Sequence, residues 1–319
     1  MTYSSGGLIQ AADYNSLTWG GTQGTYTASP SNLAYVLGTG NGQFGYGQSV
    51  SGINTIAAAA TVTATQWSGL LTGINNCLGH QSGVGAQISV PTIVAGGVIT
   101  YSSALSTAVG TINTNKALFA AQGTTTTGST FSPNFTVATT TAAQTWTFTR
   151  TITFASADQA RYFFNAGGQL NLVTISAANN DATTRSGDWV TLLATNLGSI
   201  TAIRGSTNGG RSGIGGTLNT NNTALGYWTS TTSAQNIVSI TSATASYTGD
   251  YVTVAIRHSA TAGSNADNGT TVYLDFTVYS AARSAAFNES INVTYNHRID
   301  VVYPETTYLT SSWGTATIT

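Results

Sequence analysis

Nine cations, ten carboxylates and three histidines are spread over 319 residues, so proton-transfer or metal chemistry has few groups to draw on. His80, in "LGHQSGVG", reads as a loop residue after a helix and has no second ligand at metal spacing. His258 and His297 end or interrupt two strand-like runs, beside Arg257 and Arg298. A sheet could bring them together, but neighbouring cations disfavour a protonated pair, and strand-edge hydrogen bonding is expected instead. "GGRSGIGG" lacks the glycine spacing of a nucleophile elbow and the lysine of a phosphate loop. Asp275, in "YLDFTV", is expected to face away from the apolar side of its strand, toward solvent or a neighbour. A glycosidase needs two carboxylates that may be far apart in sequence, and nothing singles out a pair. The expectation is a chain with no catalytic residue, no cofactor and no metal. The single cysteine, Cys77, reads as a buried, inert thiol.

Aromatic side chains offer a different chemistry. Tyr227 and Trp228 in "ALGYWTSTT" and Trp313 in "SSWGT" could stack on sugar rings, with nearby amides bonding the hydroxyls. The competing reading places all three in the core or at a subunit interface, and it is preferred.

Composition bounds the partners. Only 6% of residues are charged and the net charge is −1, against roughly 25% charged in an average soluble domain. Clustered lysine and arginine, the requirement for phosphate contacts, are absent, which argues against nucleic acid. No apolar run is long enough for membrane insertion, and "MTYSSGGLIQ" lacks the basic and apolar regions of a secretory signal. A surface hydrated by hydroxyls and amides has little long-range repulsion, which favours packing against other copies or partners.

The elements that must position these groups follow from periodicity. "IQAADYNSL" and "VTATQWSGL" form a faint repeat, each an extended entry, a polar cap and a helix. Trp67, Leu70, Leu71, Ile74 and Leu78 share one helical face, as do Leu105, Val109, Ile112 and, at the same spacing, Lys116 from the third unit, "VITYSSALSTAVGTI", onward. "SNLAYVLG" is a short helix ending at Gly38, followed by a glycine-rich loop carrying Phe44 and Tyr46. "AAQGTTTTGSTFSPNF" is expected to be an extended linker. Beyond it the period becomes two: Trp146, Phe148, Ile152 and Phe154; Val252, Val254 and Ile256; Val272, Leu274, Phe276 and Val278; Ile291, Val293 and Tyr295. "GQLNLVTIS" adds a strand, and "RSGDWVTLLATNLGSI" a helix. The fold class expected is mixed and mainly β. A small helical, loop-rich module (1–122) is followed by a linker (123–136). An antiparallel β-sandwich-like domain with short helices (137–319) completes the chain.

The densest segment is "FASADQARYFFNAGGQLNL". Ser156 is a helix cap with Gln159 three residues on, Asp158 suits the positive end of the helix dipole, and Gly167 or Gly168 stops the helix. Tyr162, Phe163 and Phe164 cluster near one side. Asp158 and Arg161, three apart, are expected to form a surface ion pair worth a few tenths of a kcal/mol. The whole reads as a packing joint between strands, in preference to an aromatic platform for sugars or a site using Asp158 and Arg161.

"FASADQARYFFNAGGQL" closely resembles a segment of virion structural proteins of tailed bacteriophages, of the marine and cyanobacterial type. "AADYNSL", "GYGQS", "VTATQWSGLL" and "HQSG" look like the same group and follow in order along most of the chain. The resemblance implies a non-enzymatic, tail-associated virion component (baseplate, collar or fibre base), assembled in the host cytoplasm and released by lysis. Its implied partners are copies of itself and other virion proteins. The alternatives are a capsid decoration protein or a module binding a host surface glycan. The resemblance carries no catalytic residues.

Overall fold

A computed structural model describes residues 11–20, 32–89, 103–139, 141–259 and 265–319. Ile9 and Gln10 of the first repeat unit, Val98, Ile99 and Thr100 of the third, and "MTYSSGGLIQ" lie outside them. The amino-terminal part is helical: α1 (Ala11–Thr18), α2 (Leu33–Leu37), α3 (Ala64–Ser82) and α4 (Ser103–Thr114). Local chemistry sets these boundaries. Thr63 Oγ1 accepts from Gln66 N at 3.2 Å and Gln66 Oε1 from Thr63 N at 2.9 Å, so α3 starts at a reciprocal capping box. Asn32 caps α2 through Tyr35 N. Trp67, Leu70, Leu71, Ile74, Leu78, Leu105, Val109 and Ile112 are all buried, as their spacing requires. α2 crosses α3 at Gly73, where a Cβ would lie 2.8 Å from Leu33 Cδ2.

The rest is mainly β, with two antiparallel sheets. The first contains β1 (Gln122–Thr126), β2 (Asn134–Val137), β4 (Gln169–Asn179), β5 (Ile200–Ile203) and the long β10 (Ile291–Pro304). Its order is β1-β10-β4-β5, and β2 pairs with β10 on the edge that β1 also occupies. The second contains β3 (Gln144–Thr153), β6 (Thr217–Asn221), β7 (Gln235–Thr241), β8 (Tyr251–His258), β9 (Thr271–Ser280) and β11 (Thr317–Ile318), in the order β11-β3-β9-β8-β7-β6. Three expected apolar faces are buried throughout: Val252, Val254 and Ile256; Val272, Leu274, Phe276 and Val278; Ile291, Val293 and Tyr295. On the fourth, Ile152 and Phe154 are buried while Trp146 and Phe148 are half-buried against the core. The inner faces meet through Phe135 and Trp146 (ring centroids 5.4 Å apart) and Phe276 and His297 (4.9 Å), and Trp189 of the helix at 184–190 packs edge-on to Phe135 (5.6 Å). Two helices cover the ends: α5 (Ala157–Asn165), and α6 (Thr184–Val190) continued by π-helical residues Thr191–Leu197.

Two expectations need correction. The segment 123–136 is not a linker. Thr126 pairs with Val301, Phe131 bridges His297, and Phe135 pairs with Val293. The chain therefore follows β10 along much of its length, and Phe135 is fully buried. A run of threonine has no apolar period of its own, but its main chain can still complete a neighbour's ladder. His80 is not in a loop: α3 continues through it to Ser82, and Gly83 at φ +85° ends the helix.

Candidate functional site

The segment "FASADQARYFFNAGGQLNL" contains α5, and its polar residues are turned toward the glycine-rich loop after α2. Ser156 Oγ accepts from Gln159 N at 3.1 Å, as a cap should. The reciprocal half of the expected box is missing. Gln159 lies against Gly314 instead, its Oε1 buried with no hydrogen-bond partner among the described residues. Gly167, at φ +88°, supplies the left-handed stop. Gly168 N then bonds Phe163 O at 2.8 Å.

Arg161 and Asp158 do not form a surface pair. The Arg161 side chain is 0% exposed and Asp158 is 40% exposed. Arg161 Nε and Nη2 donate to Asp158 Oδ1 at 3.2 and 3.0 Å, and Nη1 donates to Phe44 O at 2.6 Å. One turn on, Asn165 Nδ2 donates to the carbonyls of Gly42, Phe44 and Gly45 at 3.0, 3.0 and 3.2 Å. Asn265 Nδ2 donates to both Asp158 oxygens, and its carbonyl accepts from Gly42 N at 2.8 Å. This places α5 as a clamp between the helical part and the sheets. A second tie joins Gln48 to Thr310: Nε2 donates to Thr310 O at 2.8 Å, and Oε1 accepts from Thr310 N at 2.7 Å. The sequence spacing exposed Arg161 but gave no sign of Asn165, Asn265 or Gln48, whose partners lie 107 to 262 residues away.

The aromatic candidates are absorbed by the same region. Tyr227 is fully buried and stacks on Phe164 (4.4 Å, 13°), while its hydroxyl accepts from Asn268 N at 3.1 Å. Phe163 and Phe164 meet edge to face at 5.0 Å and both contact Phe154; Tyr162 lies under the Arg161 guanidinium. Trp313 is 1% exposed. Neither Tyr227 nor Trp313 has a face left for a sugar ring. Trp228 is half-buried, with Nε1 donating to Asn165 Oδ1 at 3.1 Å. Tyr227 and Trp313 are core, and half-buried Trp228 packs against it.

The histidines are also structural. His258 lies in the second sheet and His297 in the first, so the two strands do not pair. His297 accepts from Arg150 Nε at 3.0 Å through Nε2, inside a box of Phe131, Phe276 and Tyr295. Burial, helped by the Arg150 charge, pushes its pKa down to about 4. His80 is 2% exposed, edge-on to Tyr46, and burial lowers it to about 4 as well, against a smaller opposing pull from Glu305. Arg257 and Arg298 bond carboxylates, Asp275 (2.7 Å) and Asp300 (2.8 Å). Asp275 does lie on the outer face, yet it is occupied there, also accepting from Thr149 Oγ1 at 2.7 Å.

A buried charge network went unrecognised in the sequence. Asp250, fully buried, accepts from Ser280 Oγ, Ala281 N and Arg283. Arg185, also fully buried, donates to Ser280 Oγ and Glu289 O, and its own N–H reaches Glu289 Oε2. Asp188 accepts from Ser242 and Thr244. Burial raises the Asp250 carboxyl above its ordinary value despite its hydrogen bonds and the two guanidiniums, and burial lowers Arg185. The network ties α6 to the turns after β9 and before β10, so its perturbed groups serve packing.

Two surface concavities are lined by described residues. One of about 460 Å³ lies between the β1–β10 end and the carboxy-terminal loop, lined by Thr124, Tyr303, Glu305, Trp313 and Gly314 among others. The other, about 630 Å³, follows α3 past Ser68, Thr72 and Asn76. The first contains one carboxylate and the second has no titratable lining residue, so neither presents an acid–base pair. Among the described residues no group of three or more histidine, cysteine, aspartate or glutamate side chains could hold a metal, and no helix is long and apolar enough to cross a membrane. No family model, curated protein or solved structure matches the chain.

Proposed function

We propose that this chain is a non-enzymatic virion structural protein, tail-associated in the baseplate, collar or fibre base, acting by packing against copies of itself and docking to neighbouring virion proteins. The observation that carries the packing role is the fate of the charges. Arg161, Arg257, Arg283 and Arg298 pair with Asp158, Asp275, Asp250 and Asp300. Lys116, Arg150 and Arg204 lie over the rings of Phe44, Phe131 and Phe119. Arg185 and Arg211 are held by main-chain carbonyls. All nine cations thus have a partner within the chain, and the surface, though Arg204 and Asp158 still reach it, is mostly threonine, serine and asparagine. Neutral hydrogen-bonding groups tolerate close approach of identical copies, because few charges need to be desolvated or repelled.

The placement in a virion rests on the resemblance of the α5 segment and its companions to phage structural proteins. Capsid decoration is the second placement. Glycan recognition is disfavoured because two of its three stacking candidates are core.

Sedimentation of the full chain over a concentration and salt series tests the packing role. Self-association is expected, little changed between low and high salt, because its contacts are not ionic. A chain that stays monomeric at every concentration, or that releases sugars from a polysaccharide, overturns the proposal. Immunogold labelling of the released particles with an antibody to the chain tests the placement, with label expected on the tail and its absence counting against it.

A further inference from the structure

Self-packing leaves open which surface does the pairing, and one edge of the fold is built differently from the rest. Phe131 exchanges both main-chain bonds with His297 (2.7 and 3.0 Å), and Pro133 O accepts from Tyr295 N at 2.9 Å. Odd-numbered residues of β10 therefore face this edge, while Asn292 O accepts from Asn180 N on the β4 side. With Thr126 opposite Val301 and Phe135 opposite Val293, alternation directs the N–H and C=O of Thr125, Thr127, Asn134 and Thr136 away from β10. All four residues are exposed, and among the described residues β1 and β2 pair with β10 alone.

Edges of this kind are ordinarily blunted by charge, proline or cover. The β5 edge is covered by its own loop, Thr201 exchanging bonds with Gly209 and Gly210. Strands β6 and β11 offer isolated edges of five and two residues, whereas β1, the Phe131 bridge and β2 follow one another along the same side of β10 from residue 122 to 137. On the β1–β2 edge no charged residue occurs between Lys116 and Arg150. Arg150 itself is turned inward, onto His297 and the Phe131 ring 4.0 Å away. One proline, Pro133, interrupts the row.

We infer that the edge formed by residues 122–137 pairs antiparallel with the same edge of a second copy, extending the first sheet across a two-fold axis. A charged partner finds no complement here. An identical neutral strand does: its outward donors meet equivalent acceptors, its threonines pair across the strands, and nothing repels. A two-fold arrangement is closed, so it makes a discrete dimer rather than a fibre. The inference rests on the self-packing reading and assigns its surface.

The test uses the full chain. Light-scattering mass and amide exchange are measured for the wild type, for Thr125→Lys with Thr136→Lys, and for Ala234→Lys, an exposed control in another loop. The wild type and control are expected to dimerise, with the amides of residues 125, 127, 134 and 136 protected only in the dimer. The double lysine variant, whose changes touch no core side chain, is expected to weaken dimerisation at least tenfold with an unchanged circular dichroism spectrum. Association that survives both lysines with these amides unprotected overturns the edge while leaving self-packing intact. A wild type that remains monomeric overturns both.

Discussion

Arg161 and Asp158 illustrate how burial decides the worth of a pair. At helical spacing on a surface, such a pair contributes a few tenths of a kcal/mol. Here the cation is fully enclosed and its carboxylate partly reaches water. Removing the acid strands a buried charge, whereas removing the base leaves a carboxylate that water and Asn265 still solvate. Asp158→Ala should therefore cost about 3 kcal/mol, and more than Arg161→Met. Urea denaturation midpoints of the two variants check the order. His80 and His297 set the pH response. Their folded pKa values, both about 4, lie below the ordinary histidine value near 6.5, so the unfolded chain takes up protons first as pH falls. Stability should be level above pH ~7 and fall from about pH 6.5 toward 4, by on the order of 3 kcal/mol for each ring. Denaturation curves at several pH values should show the slope, and His80→Gln combined with His297→Asn should flatten it.

At the scale of elements, the segment 123–136 is the decisive case. As part of a sheet it should resist proteolysis, and Phe135→Ala should destabilise the fold by about 3–4 kcal/mol through the cavity it leaves between Trp146 and Trp189. A free linker would give neither result. Preferred cleavage between residues 123 and 133, or a Phe135→Ala variant of wild-type stability, would contradict the pairing with β10. Gly167→Ala tests the α5 stop. It combines a left-handed backbone with a Cβ directed at the Phe119 ring, and a loss of roughly 1–3 kcal/mol is expected in the same assay. The cap at Ser156, the polar cap ahead of α3, the glycine stops at Gly38 and Gly167 and the period-two strands were legible, because each depends on residues within one or two turns. Gln159 shows the limit: its spacing from Ser156 fits a box, yet it packs on Gly314, 155 residues away in sequence.

For the molecule as a whole, composition and local periodicity set the class of fold, the alternation of inner and outer faces, and a surface poor in charge. These are local or compositional properties, set by which residue types follow one another. The tertiary structure decided destinations. It took a threonine run for the edge of β10, Trp313 and Tyr227 for the core, His80 for the interior of a helix, and Asp250, Arg185 and Arg283 for one buried network. The bond from Gly128 N to Asp300 Oδ1 spans 172 residues. Periodicity reports that a face is apolar or polar but carries no record of which distant face will cover it, because that choice depends on how the sheets close around a shared core.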